Sequence, residues 1–169
     1  AGLISPTSGK ISIDGTTALT PSHRTGFVFQ TPTLLEWLSV IDNVLLPLTI
    51  SSKKKPECVE LGLDILASMG LKKHTHKYPN ELSGGQQSRV SIARALITEP
   101  SLLLMDEPFA SLDAMTRQDL QIDLLRLCVK RKTTVLFITH DISEAVYLSD
   151  KIALMNSGEI QQNFPIKID

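Results

Sequence analysis

The sequence predicts an α/β fold built on a parallel sheet. Two apolar runs, Leu102-Leu103-Leu104-Met105 and Thr133-Thr134-Val135-Leu136-Phe137-Ile138, read as buried parallel strands, each followed by polar or charged residues. Helical spacing fills the segments between, and a helix start with two glycines, Ser83-Gly84-Gly85, precedes the first run. At 169 residues the chain is long enough for one domain with its own core, and a formal net charge of −1 lacks the basic excess of a nucleic-acid surface. No apolar stretch reaches the roughly eighteen residues of a membrane span, and no secretory signal is visible.

Taken in order, Lys10-Ile11-Ser12-Ile13 alternates and then turns at Asp14-Gly15, which predicts an edge strand. Thr25-Gly26-Phe27-Val28-Phe29-Gln30 is a second strand with Gln30 at its carboxyl end. Ser51 to Pro56 is a polar break whose lysines, Lys53 to Lys55, should face water. Pro56 suits the first turn of a helix with Val59, Leu63, Leu66 and Met69 as one apolar face and Gly70 as its stop. Residues 71–80 read as loop, with His74 and His76 facing solvent and no third ligand near enough to make a metal site. Beyond Asp113, which can cap a helix, Leu120, Leu124 and Leu127 form a stripe that should pack on the sheet. Asp141-Ile142-Ser143-Glu144 resembles a capping box, and Lys151–Asn156 with Glu159–Gln162 a final hairpin about Ser157-Gly158; the tail to Asp169 carries no signal. Cys58 and Cys128 are expected as buried free thiols.

The chemistry concentrates in residues 82–113. A helix capped by Ser83, with Gly84 and Gly85 in its first turn, leaves unpaired N–H groups and a partial positive charge that bind anions, phosphate above all. The same residues also make an ordinary polar turn before a helix. Asp106 and Glu107 follow the Leu102 strand, where ligands of open α/β sheets sit. One carboxylate can hold magnesium, which prefers hard oxygen ligands, and the next can accept a proton from an attacking water. Taken alone, such a pair is also found at solvated strand ends.

These motifs together resemble the ATP-binding subunit of an ABC transporter. Leu82-Ser83-Gly84-Gly85-Gln86 matches the signature motif, with Arg89 and Ala93-Arg94-Ala95-Leu96 following as in the family. Leu102–Asp106 with Glu107 matches the Walker B strand and catalytic carboxylate, and Ser111-Leu112-Asp113 the D-loop. Thr139-His140-Asp141 matches the switch histidine and Phe29-Gln30 the Q-loop. The resemblance implies a P-loop NTPase-like (RecA-like) parallel-sheet core over residues 1–39 and 99–169, with an inserted helical subdomain over about 40–98, all within one partial ATPase domain hinged at Gln30.

Leu34-Leu35-Glu36-Trp37-Leu38-Ser39-Val40, then Asp42-Asn43-Val44 and Leu46-Pro47-Leu48, is similar to the nitrate/sulfonate/taurine importer branch, although Glu36 stands where that branch typically has proline. The Walker A run G-x-x-x-x-G-K-[ST] does not occur, and Ser8-Gly9-Lys10 does not substitute for it. The upstream aromatic that stacks on adenine in the family is missing too. An N-terminally truncated cassette is therefore expected, with little hydrolysis of its own and with core surface exposed around the Walker B strand.

For the intact protein the resemblance implies ATP and Mg2+ in a homodimer of ATP-binding subunits. One subunit gives Asp106 and Gln30 toward metal and Glu107 as base, with His140 toward the γ-phosphate. The other gives Ser83, Gly84, Gly85 and Gln86 toward the phosphates, with Ser111 and Asp113 at the dimer contact. Permease subunits receive the motion, with Trp37 as a contact or as a half-buried core residue. A periplasmic or extracellular solute-binding protein enters indirectly. The location implied is the cytoplasmic face of the membrane, and the cargo a small anion. Two other readings are a truncated cassette that only docks a partner, and a DNA-repair type ATPase. The latter requires a long coiled coil between Gln30 and Ser83, and no sustained heptads occur there.

Overall fold

The computed structural model describes residues 2–18, 20–51 and 56–166, so Lys53 to Lys55 and the end of the tail lie outside the described residues. The chain forms two compact units, Ala1–Ile138 and Thr139–Asp169.

The first unit opens with a hairpin of β1 (Ser12–Ile13) and β2 (Thr16–Thr17), paired antiparallel with Ser12 opposite Thr17. Its turn residues Asp14 and Gly15 sit at φ 51° and 73°, the left-handed pair that a two-residue hairpin turn needs. The Ser101 hydroxyl donates to Asp14 Oδ2 at 2.6 Å and ties this hairpin to the foot of the next sheet.

That sheet is parallel, with β3 (Thr25–Val28), β4 (Leu102–Asp106) and β5 (Thr134–Ile138) side by side in the order β3-β4-β5. Val28 pairs with Met105 and Met105 with Phe137, so the three carboxyl ends are aligned. Gly26, Val28, Leu103 and Met105 are buried on one face. A Cβ at Gly26 would lie 2.7 Å from the Ala95 carbonyl oxygen, so only glycine lets α3 (Gly84–Leu96) lie against β3. The other face is open. Leu136 and Ile138 are 61% and 62% exposed, which corrects the expectation of a buried strand at 133–138. A parallel strand is buried on both sides only when both faces of its sheet are covered. The expected exposure of core surface beside the Walker B strand is seen on this face.

Three helices fill the interval between β3 and β4: α1 (Val40–Ile50), α2 (Pro56–Ser68) and α3. Ser39 caps α1, its hydroxyl oxygen accepting from the Asp42 N–H. Val44, Leu45, Ile65, Leu66, Met69, Ile92 and Leu96 are almost fully buried here. Each such side chain contributes about 1.5 to 3 kcal/mol of transfer free energy. The apolar face of α2 is centred differently from the expected one. Gly62, Ile65, Leu66 and Met69 are buried while Leu63 is 40% exposed. The cause is α1, whose Ile41 and Leu45 side chains approach Gly62 and leave Leu63 at the border of the contact.

Between α2 and α3 the expected loop holds two 3-10 turns, Lys72–His74 and Pro79–Glu81. The second is closed by Glu81 Oε2 accepting from the Tyr78 N–H at 2.7 Å. Helix α4 (Ala114–Arg131) buries Leu120, Leu124 and Leu127 and ends at Lys132. Cys128 is buried as expected, but Cys58 is only half-buried.

In the second unit, α5 (Ile142–Leu148) precedes the hairpin of β6 (Lys151–Asn156) and β7 (Glu159–Pro165). Asp141 caps α5, its Oδ1 accepting from the Ser143 and Glu144 N–H groups at 2.8 and 3.3 Å. The expected capping box is replaced by a relay through Thr139. The Thr139 hydroxyl donates to Glu144 Oε2 at 2.7 Å and accepts from the Asp141 N–H at 3.0 Å.

Candidate functional site

The aligned strand ends bring together residues far apart in sequence. Asp106 is the last residue of β4 and is exposed. Glu107 turns the chain at φ 41°, and its N–H donates to the Ile138 carbonyl at 2.9 Å. A non-glycine residue in that region costs on the order of 1 to 3 kcal/mol and persists where its surroundings hold it. From the end of β3, Gln30 Nε2 donates to Glu107 Oε2 at 3.2 Å across 77 positions of sequence. The half-exposed carboxylate is therefore held by a neutral amide, in a place where water can reach it and pass it a proton.

Among the described residues no group of three or more His, Cys, Asp or Glu could hold a metal by itself. Asp106, Glu107 and the Gln30 carbonyl nevertheless offer hard oxygen donors at one strand edge. Magnesium is usually held by one or two carboxylates plus phosphate oxygens and waters, so this donor set fits that ion in company with a nucleotide.

The helix start at α3 is a complete capping box. Ser83 Oγ accepts from the Gln86 N–H at 3.3 Å and Gln86 Oε1 accepts from the Ser83 N–H at 3.0 Å. The Gln86 side chain also reaches His74 Nε2 at 3.3 Å, so His74 is half-buried rather than solvent-facing, while His76 is exposed as expected. Two glycines with one expected role turn out to have different surroundings. A Cβ on Gly84 would meet nothing within 4 Å, whereas one on Gly85 would lie 2.4 Å from Thr116 Cγ2. Gly84 leaves the helix end open toward solvent, and Gly85 lets α4 approach.

Ser111 and Asp113 precede α4 on a short turn anchored by the buried Phe109 and Leu112. Asp113 Oδ1 accepts from the Thr116 N–H at 3.0 Å. Hydrogen bonds from Thr116, side chain first and backbone second, hold the Asp113 carboxyl below the usual carboxylate range. Thr116 thus touches both Gly85 and Asp113, and nothing in its sequence context marks it.

Trp37 is 73% exposed, which removes the half-buried core alternative. It sits on a turn organised by Asn43, which is fully buried in α1. Asn43 Oδ1 accepts from the Leu35 N–H at 2.8 Å, and Nδ2 donates to the carbonyls of Leu35, Leu38 and Ser39 at 3.0, 3.0 and 3.1 Å. The available signal was a polar residue interrupting the apolar face of α1. His140 belongs to the second unit, where it is exposed just ahead of the Asp141 cap.

A family model described as ABC transporter matches residues 1–110. The chain belongs to the ABC transporter family. Over 169 residues it is 43% identical to an uncharacterized ABC transporter ATP-binding protein of Methanocaldococcus jannaschii, covering 100% of this chain and 63% of that protein. It is 44% identical over 164 residues to the aliphatic sulfonates import ATP-binding protein SsuB of Bacillus anthracis, covering 96% of this chain and 64% of that protein. It is 41% identical over 169 residues to the trimethylamine N-oxide transport system ATP-binding protein TmoW of Pelagibacter ubique, covering 95% of this chain and 50% of that protein.

The chain therefore spans a little under two thirds of the first two relatives' length and half of the third's. Among solved structures, the dimeric ATP-binding cassette MJ0796 in a post-hydrolysis state bound to ADP and Pi superposes with a TM-score of 0.83 at 32% identity. That match covers 99% of this chain and 78% of the other. The fold of this ABC transporter chain is that of the P-loop NTPase cassette. No helix among its described residues is long and apolar enough to cross a membrane. The helices described between Gln30 and Ser83 are α1 and α2, of 11 and 13 residues, far short of the arm that a DNA-repair type ATPase would need.

Proposed function

We propose that this chain is the catalytic part of an ATP-hydrolysing subunit that powers uptake of a small sulfonate-type anion. The observation that carries this reading is the Gln30–Glu107 pair at adjacent strand ends, next to Asp106. Glu107 takes the proton of the attacking water, and Gln30 holds the Glu107 carboxylate in line for that transfer. Asp106 and Gln30 hold magnesium, which when bound offsets charge on the phosphate oxygens. His140 acts as a hydrogen-bonding partner of the terminal phosphate.

In a pair of such subunits, Ser83 and the helix start at Gly84 and Gly85, open on its Gly84 side, face the phosphates bound by the opposite copy, with Ser111 and Asp113 at the contact. Gln86 supports them by closing the Ser83 cap. Positioning and charge stabilisation supply most of the rate enhancement in such a reaction. The subunit docks peripherally on permease subunits at the cytoplasmic face of the membrane. The exposed Trp37 is the contact, and a solute-binding protein delivers cargo to the permease. The anionic cargo is supported by the likeness to SsuB at 44% identity.

The test is the Glu107→Gln variant of the complete protein. ATP turnover should fall by about a hundredfold or more, the range for loss of a general base, while MgATP binding stays within about twofold. Turnover at the parent rate would remove Glu107 from the mechanism. Uptake of labelled alkanesulfonate and of trimethylamine N-oxide in cells with and without the gene decides the cargo. Loss of the amine oxide alone would refute the anion assignment.

A further inference from the structure

We infer that Arg94 is a positioning residue: from α3 it clamps the turn that follows Gln30 and so sets where the Gln30 amide meets Glu107. Arg94 Nη1 donates to the Thr33 carbonyl at 2.9 Å, and Nη2 donates to the Pro32 carbonyl and to Thr33 Oγ1, both at 3.0 Å. Three bonds from one guanidinium to two consecutive residues use its planar fork, which an ammonium lacks. The turn they hold is strained. Thr33 sits at φ 42°, a region that β-branched residues avoid because Cβ crowds the backbone. Such a backbone relaxes unless its surroundings fix it, and the clamp lies on the strained residue itself. Only Thr31 and Pro32 separate Thr33 from Gln30, so movement of the turn carries the Gln30 amide away from the 3.2 Å contact with Glu107. The clamp also reaches the other half of the proposed chemistry. Arg94 and Gly84 are ten residues apart on one helix, about 15 Å at the usual helical rise. A helix of that length moves as a body, so the open helix start and the Gln30 turn are held at a fixed separation.

This inference rests on the proposed role of Gln30, and its test separates the two. In the complete protein, Arg94→Lys keeps the charge and loses the fork. Amide hydrogen exchange over residues 30–36, measured without nucleotide, should quicken about tenfold while residues 86–96 keep their protection. ATP turnover should fall about tenfold with KM for MgATP within about twofold, as expected when a transition-state contact rather than ground-state binding is lost. Unchanged exchange over 30–36, or equal loosening along α3, overturns the clamp.

Should Arg94→Lys fail to fold, Thr33→Val deletes only the Oγ1 acceptor. A rise of about threefold over 30–36 is expected, and no rise overturns the clamp. Gln30→Ala serves as the control. If it leaves turnover at the parent value, the role of Gln30 fails while the exchange result still decides the clamp. If it lowers turnover and Arg94→Lys does not, the positioning role is overturned.

Discussion

Replacing Gly85 by alanine places a methyl group where its carbon would sit 2.4 Å from Thr116 Cγ2. Carbon atoms pack best at about 3.5 to 4.0 Å, so more than 1 Å of overlap must be relieved by moving α3 against α4. Overpacking of this kind costs about 1 to 3 kcal/mol, and alanine's better helix propensity returns at most about 1 kcal/mol of it. The same change at Gly84 meets nothing within 4 Å, so it should be neutral or stabilising by about 0.5 kcal/mol. Neighbouring glycines should then differ by about 2 kcal/mol, or roughly 1 M in urea midpoint at an m-value of about 2 kcal/mol/M.

Thr116→Ser removes only Cγ2 and keeps the hydroxyl that bonds Asp113, so it isolates the clash. In a double-mutant cycle with Gly85→Ala it should recover about 1 to 2 kcal/mol. Equal midpoints for the two glycine variants would refute the packing role, as would a double variant no more stable than Gly85→Ala alone. On the proposed function the functional ranking differs from the stability ranking: Gly84→Ala keeps its fold yet lowers ATP turnover in the complete protein, because its methyl stands over the open helix start.

Asn43→Ala should destabilise by about 1 to 3 kcal/mol, since it takes the side-chain partner from the part-buried Leu35 N–H and Leu38 carbonyl, while the Leu35 and Ser39 carbonyls keep backbone bonds from the Leu38 and Asn43 N–H groups. The single tryptophan, Trp37, reports on the same turn, and its fluorescence anisotropy should fall in the variant at temperatures where the far-ultraviolet spectrum is unchanged. An alkylating reagent at pH 8 should modify Cys58 in the folded protein and Cys128 only after unfolding. Burial pushes the Cys128 thiol up to about 11, against a smaller opposing pull from Arg131. Because the folded-state value is raised, that thiol's contribution is fully present below the unfolded value of 9.0 and is lost as pH climbs toward 11. The difference in urea midpoint between parent and Cys128→Ala should therefore change between those limits; a difference that is flat with pH would show that folding does not protect the thiol.

The parts of the site that were legible in the sequence are those written in local pattern. Four apolar residues ending in Asp106-Glu107 specify a strand and what stands at its end, and Ser83 ahead of Gly84-Gly85 specifies a capped helix start. The missing parts depend on what lies opposite. An apolar run does not say which faces of its sheet are covered, so Leu136 and Ile138 read as buried and are exposed. Spacing on α2 gave a stripe without its centre, which Gly62 and its neighbours on α1 decide. Thr116 and Asn43 matter through partners brought to them by folding: a lone threonine inside a helix carries no such sign, and the asparagine that interrupts the apolar face of α1 marks a polar partner without naming it. The left-handed backbone of Glu107 and Thr33 is likewise invisible, since neither residue type favours it.

Helix α3 is the element these contacts share, and its anchoring bears on how motion could cross the unit. Its first turn touches α4 through Gly85 and Thr116, and its last turns touch β3 at Gly26 and the Gln30 turn through Arg94. In between, Arg89 Nη1 donates to the Met69 carbonyl at 2.9 Å and to Asp123 Oδ2 at 2.5 Å, joining the end of α2 to α4. That ion pair is largely shielded, with side chains 16% and 21% exposed, so salt screens it less than a surface pair. Bending α3 would break its internal hydrogen bonds, and sliding it would break the Arg89 and Arg94 contacts together. A load on the Ser83 end is therefore passed to α2, α4 and the Gln30 turn as one displacement. Packed elements of this kind move between discrete arrangements rather than deforming continuously.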